Sequence, residues 1–177
     1  MYMKQRAPDK ALAKYLEASK VKPTDSSVLT IVGILNEQAG NKVQARVAYE
    51  RVVELEPNSA SAANNLAWLL AEEGKDMDRA LDLARRAKVA NPTSPQVSDT
   101  LGWIYYKRQL YESAIPLFQD CIKKQPANAV YHFHLAAALA DSGKKAQAKT
   151  AMSKALSLDS SLRQRGDVQK VLGILEM

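Results

Sequence analysis

The sequence predicts an all-α fold, a solenoid built from a repeated antiparallel helix pair. Three observations predict it. Prolines recur at a near-constant interval, with Pro23, Pro57, Pro92 and Pro126 spaced by 34, 35 and 34 residues. Small residues recur in step with them: Ala45, Ala80, Ala114 and Ala148 hold one place in successive intervals. The composition is that of helices, since alanine and leucine dominate and aromatics make up only 6%. A fixed period of this length means that each interval is one supersecondary unit, whose apolar face is buried only by stacking on its neighbours.

The elements follow in chain order. Residues 1–25 align with the later part of an interval: Tyr2-Met3-Lys4-Gln5-Arg6 matches the stretch from Tyr105, and Ala11, Tyr15 and Pro23 match Ala114, Phe118 and Pro126. The chain is therefore expected to open inside a first helix, as a fragment of a longer array. The first complete unit spans residues 26–59, with Val32-Gly33 in its first helix and Ala45 and Tyr49 in its second. The second, 60–94, carries Leu66-Ala67, Leu70, Ala80 and Ala84; its one extra residue is placed in the turn from Gly74 to Asp78, where an insertion costs little. The third, 95–128, has Leu101-Gly102, Tyr105, Ala114 and Phe118, and the fourth, 129–162, has Leu135-Ala136, Leu139, Ala148 and Met152. Residues 163–177 place Val168, Val171, Leu172 and Leu175 on one helical face, as a helix that caps the stack would.

Boundary residues agree with that register. Asn58, Ser94 and Asn128 are expected N-caps, and Pro95 falls in a first turn, where its missing N–H is harmless. Gly40, Gly74 and Gly143 are expected at the turns inside each pair, where the first helix must stop. The small residue after the leucine or valine (Gly33, Ala67, Gly102, Ala136) is expected to let the two helices of a pair approach closely.

These residues resemble the tetratricopeptide repeat, whose 34-residue pattern runs W-x2-L-G-x2-Y, A-x3-F and P. The resemblance covers nearly the whole chain in four registered copies. It implies a right-handed solenoid in which the first helices line a concave face that binds a peptide or helix of a partner protein. By the family's groove places, the second repeat offers Asn64, Asn65 and Trp68; the third offers Asp99, Thr100, Trp103, Tyr106 and Lys107; the fourth offers Phe133 and His134. Both tryptophans hold the same place in adjacent repeats. They read either as an exposed peptide-binding floor or as rings that pack against the neighbouring first helix and stiffen the array. The carboxylate clamp of chaperone-binding members is not matched. Asn65 fits its middle asparagine, but Thr30, Ile34, Gln96 and Thr100 stand where its remaining residues belong.

A narrower resemblance lies in the tandem from Asn64-Asn65-Leu66-Ala67-Trp68 to Asp99-Thr100-Leu101-Gly102-Trp103. It is similar to the C-terminal repeats of bacterial envelope proteins, including repeat lipoproteins linked to exopolysaccharide export and to PEP-CTERM protein sorting. It implies a periplasmic or outer-membrane scaffold.

Chemistry-bearing motifs point nowhere else. His132 and His134 are two apart on a predicted helix, so they diverge by about 200° and cannot share a metal. Cys121 holds a small-residue packing place and reads as a buried thiol. No phosphate-binding glycine loop occurs. The net charge of +6 is spread among acids and lacks the aromatic interleaving of a single-strand nucleic-acid site. No apolar run approaches the ~20 residues of a membrane span. The expectation is a protein-binding scaffold, not an enzyme, with no cofactor, no metal and no nucleic-acid partner, and with end-to-end self-association through its N-terminal face. A spacer or oligomerisation array, or a regulatory domain of a larger enzyme, are the alternatives.

Overall fold

The computed structural model describes residues 6–176. Tyr2 to Gln5, aligned above with a first helix, lie outside the described residues. The chain divides into two compact units, one ending at Ala90 and one beginning at Asn91. Among the described residues every regular element is helical.

The N-terminal unit holds α1 (Arg6–Val21), α2 (Ser26–Gln38), α3 (Lys42–Leu55), α4 (Ala60–Glu73) and α5 (Met77–Ala90). Helices α2 and α3 form one antiparallel pair and α4 and α5 the next; α1 packs on α2 as the second helix of a preceding pair would. The core runs through Ala45, Tyr49, Leu66, Ala67, Ala80 and Ala84, all fully buried. At the start of the unit, Leu12 and Tyr15 are half-buried, and Leu16 and Val21 are 41% and 81% exposed.

The C-terminal unit holds α6 (Pro95–Lys107), α7 (Tyr111–Lys124), α8 (Ala129–Asp141) and α9 (Lys145–Leu158). A short 3-10 turn (Ser160–Gln164) then leads to α10 (Gly166–Leu175), which packs chiefly on α8. The 3-10 turn is not foreseen in the sequence reading. The four residues expected to share a face of α10 are all buried, with Val168 at 0%. Ala114, Phe118, Ala148 and Met152 fill the core of this unit.

The close approach expected at the small residues is present. A Cβ on Gly102 would stand 2.7 Å from the Phe118 ring, and one on Gly33 would run into the Tyr49 ring. Cap positions agree with expectation at Ser94 and Asn128, whose side chains accept from Val97 and Val130 N–H groups. Asn58 does not: the N-cap of α4 is Ser59. The register explains this, since the capping residue is the one directly before the first helical position, as at Asp25, Ser94 and Asn128. Asp25 caps α2 through bonds from Ser27 and Val28 N–H groups, a cap that the sequence reading missed.

Candidate functional site

Helix α6 places Asp99, Trp103, Tyr106 and Lys107 along one face, at the i, i+4, i+7 and i+8 spacing of a helical stripe. Helix α8 brings Phe133, His134 and Asp141 against it. Two hydrogen bonds lock the pair together. The His134 Nδ1–H donates to the Asp99 carboxylate at 2.8 Å, with His134 fully buried. The Tyr106 hydroxyl donates to Asp141 Oδ2, also at 2.8 Å.

Rings fill the space between these bonds. Trp103 stacks on His134 with centroids 4.2 Å apart and on Tyr106 at 4.7 Å, and meets Phe133 at 6.2 Å. The Lys107 ammonium lies 5.5 Å above the Trp103 ring, and the Arg165 guanidinium 5.2 Å above Phe133, both within cation–π range. Burial, together with the Asp141 carboxylate it serves, holds the Tyr106 phenol well above its usual range. Burial beside Asp99 and Cys121 pushes the Tyr131 phenol up to about 12.

This packing bears on the two roles left open for Trp103. The ring is 4% exposed and sits on the neighbouring first helix, so it is chiefly a packing residue. His134 of α8 stacks on the indole and Phe133 meets it tilted, which is the packing alternative of the two. Thr100 is likewise buried. A cleft of about 460 Å3 remains beside these rings. Trp103, Tyr106, Lys107 and Phe133 form one wall, and Val171, Ile174 and Lys170 of α10 form the other. Asp141 and Asp167 complete it. The wall from α10 was not visible in the repeat pattern, which ends before that helix.

The other expected residues lie on α4 of the N-terminal unit. Trp68, Asn64 and Asn65 are all half-buried. Asn64 Nδ2 donates to Asn65 Oδ1 at 3.4 Å. Asn65 also serves Tyr49, whose hydroxyl donates to Glu37 Oε2 at 3.1 Å. Burial first and the Glu37 carboxylate second raise the Tyr49 phenol far above its ordinary value, with the Asn65 hydrogen bond pulling the other way.

His132 is a core-edge residue, its Nε2–H donating to the Pro126 carbonyl at 3.0 Å. Cys121 is fully buried, its thiol donating to the Pro95 carbonyl. Among the described residues no three potential metal ligands gather, and no helix is long and apolar enough to cross a membrane.

Stacked helix pairs, with a cleft lined by side chains of successive first helices, define a helical-repeat protein. The chain belongs to the tetratricopeptide-repeat family: the family model so described matches residues 5–161. It is 27% identical over 122 residues to a TPR repeat-containing protein of Pseudomonas aeruginosa, which covers 69% of this chain and 21% of that protein. The chain thus spans about a fifth of the length of that relative. Among solved structures, MamA from Desulfovibrio magneticus RS-1 superposes with a TM-score of 0.72 at 22% identity, covering 90% of this chain and 89% of that one. PilW, a type IV pilus biogenesis factor, superposes with a TM-score of 0.78 at 19% identity, covering 99% and 83%. These likenesses show the fold, an all-α solenoid of helix pairs.

Proposed function

We propose that the chain is a non-catalytic scaffold that reversibly holds a short segment of a partner protein in the cleft of its C-terminal unit. The observation that carries this reading is the cleft itself, where four of the expected groove residues (Trp103, Tyr106, Lys107 and Phe133) meet α10 around one space of about 460 Å3. That volume falls in the range of sites that bind a ligand through a mostly apolar lining with a few polar groups. Its two carboxylates are already engaged, Asp141 by Tyr106 and Asp167 by Arg165. Asp167 is neutralised by Arg165, while Asp141 keeps its charge under the neutral Tyr106 hydroxyl, so Lys107 and Lys170 outnumber it and leave the lining with a net positive charge. The fitting segment places an apolar side chain against Ile174 and Tyr106, over the buried Trp103, Phe133 and Val171, with a carboxylate beside it.

His134 acts from beneath by stacking on the Trp103 ring and Asp99 by fixing His134, while Thr100 is buried on the same helix as Trp103. In the N-terminal unit, Asn64, Asn65 and Trp68 offer a separate polar and aromatic surface. The repeats are read as 26–59, 60–94, 95–128 and 129–162, after a partial repeat at 1–25 and before a capping segment at 163–177. The tandem that ends in Trp68 and Trp103 supports placing the protein in a bacterial envelope, where it would scaffold exopolysaccharide export or protein sorting. A second reading, a self-associating spacer, is favoured by exposed apolar residues of the N-terminal unit: Val43 and Val47 are 58% and 59% exposed, besides Leu16 and Val21.

The test is a photo-crosslinker in place of Ile174, 39% exposed on the cleft rim, introduced in the source cell. Crosslinks to a foreign segment with apolar and acidic residues, lost on Lys107→Glu/Lys170→Glu, support the reading. Crosslinks only to further copies of this chain would establish the spacer instead, and the absence of any adduct would discard the cleft as a binding site. Fractionation of cells carrying the tagged protein checks its compartment.

A further inference from the structure

We propose that the C-terminal unit carries a second docking groove, on its second-helix side, that takes an acidic amphipathic helix of a partner. The groove lies where α7 and α9 flank α8, with a volume of about 570 Å3. Ile122, Leu135, Leu139 and Ala151 make its floor, and Gln119, Gln147, Thr150 and Lys154 its rim. It is distinct from the cleft above. Helix α8 turns Leu135 and Leu139 toward this groove and Phe133 and Asp141 toward the other.

Three features select the occupant. The first is length. On α9 the lining residues Gln147, Thr150, Ala151 and Lys154 fall at i, i+3, i+4 and i+7, and on α8 His132, Leu135 and Leu139 fall at i, i+3 and i+7. Each set spans about two helical turns, roughly 10 Å. That is the reach of a docked helix whose own anchors recur at i, i+3 or i+4, and i+7.

The second is polarity. The floor is aliphatic, and the rim offers amides and a hydroxyl that can meet the polar shoulders of a helix. The third is charge. No carboxylate lines the groove. Helix α9 carries Lys145, Lys149 and Lys154 and no acid. The acids of α7 are taken, Glu112 by Lys144 at 2.6 Å and Asp120 by Lys124 at 2.8 Å. The surface is thus cationic around an apolar floor, and its complement is a helix with leucine-type anchors flanked by Asp or Glu.

The probe is a labelled synthetic peptide of about four helical turns. It carries Leu at the anchor places and Glu beside them, and is titrated against the whole chain by fluorescence anisotropy. Two controls keep the composition or the hydrophobic pattern: a scrambled acidic peptide, and a peptide with Lys in place of Glu. Binding of the first peptide alone is expected. It should weaken about fivefold or more with Lys154→Glu, a loss of one close charge pair plus one new repulsion. It should be abolished by Thr150→Trp, which fills the groove from an exposed position, and should weaken as salt rises. The same titration on Lys107→Glu/Lys170→Glu, which turns acidic segments away from the other cleft, should still show the binding that Lys154→Glu weakens. Equal binding of the Lys peptide, or of the scrambled one, would overturn the charge or the helix argument. Loss on Lys107→Glu/Lys170→Glu with none on Lys154→Glu would place the peptide in the first cleft and remove the proposal, while absence of binding would remove it outright. Circular dichroism confirms that each variant keeps its helices.

Discussion

Phe118 and Tyr49 stand where the side chains of Gly102 and Gly33 would otherwise be, and both rings are fully buried. The sizes are reciprocal along the chain. A ring in the second helix faces glycine in the first, whereas Ala84 and Met152 occur in the repeats that carry Ala67 and Ala136 at that place. Two effects compete when Gly102 becomes Ala. Helix propensity favours alanine by about 1 kcal/mol, while overpacking a tight site costs about 1–3 kcal/mol. The Phe118 ring has no exposed direction into which to swing, so overpacking wins. Gly102→Ala should lower stability by about 1 kcal/mol in urea denaturation, and Phe118→Leu in the same chain should recover part of it. Gly173 supplies the opposite case within the same protein. It lies in α10 with no atom within 4 Å of its would-be Cβ, so Gly173→Ala should raise stability by about 0.5–1 kcal/mol through propensity alone. If both alanines stabilise, close packing is not the reason for glycine at position 102.

The turn inside each helix pair is built the same way four times, and it shows what kind of information the chain displays openly. Gly40, Gly74, Gln109 and Gly143 hold one equivalent place, and all have positive φ, at 79°, 66°, 61° and 83°. Three of these turns were legible because glycine there is a direct statement about backbone conformation. The fourth was not, because Gln109 adopts a left-handed conformation that its type does not advertise. Its Cβ is crowded there, at a cost of roughly 1 kcal/mol relative to glycine. Gln109→Gly should therefore stabilise the α6–α7 pair by about 0.5–1 kcal/mol, read as a raised denaturation midpoint with an unchanged slope. A fall in stability would mean that the glutamine side chain makes a contact worth more than the strain. The extra residue of the second repeat was also placed correctly, since Asp76, with φ 48°, lies in the turn between α4 and α5. The misplaced cap at Asn58 is the reverse case. Asn58 and Ser59 are both good capping types, and only the helix start, not composition, chooses between them.

Over the whole molecule, periodic features were readable and features that depend on a neighbour's surface were not. Trp68 and Trp103 share a place in the repeat, yet Trp68 is half-buried and Trp103 is 4% exposed. The difference at Trp103 comes from His134 and Phe133, whose ring planes no spacing rule supplies. Similarly, α10 was expected as a cap, but its role as a cleft wall follows from where it rests on α8. Buried phenols give the molecule a further property that sequence alone does not show. The phenols of Tyr49 and Tyr131 are raised above their ordinary value of 10.0, one in each unit. Their folded state holds the proton more tightly than the unfolded chain does, so their contribution is fully present below pH 10.0 and is lost as pH rises through the folded values. Each such tyrosine lowers stability by up to about 1.4 kcal/mol per pH unit within that window. On the acid side the effect is weak. Burial opposes the ionised Asp167, but bonds from Arg165 and the Val168 N–H outweigh it and lower its value below 3.8. Its contribution is present above 3.8 and fades as pH falls below it, and its 41% side-chain exposure lets solvent screen most of the effect. Urea denaturation should thus give a flat stability from about pH 6 to 9 and a steep loss above pH 10. Absorbance at about 295 nm, followed through the same range, should show the exposed tyrosines ionising first and the remainder only with loss of helix. Tyr49→Phe and Tyr131→Phe together should make the alkaline limb shallower, with Tyr106, whose phenol is also raised, keeping part of it. If all tyrosines ionise in one step near pH 10 while the helices persist, the phenols are solvated in the native state and the packing around them is looser than described.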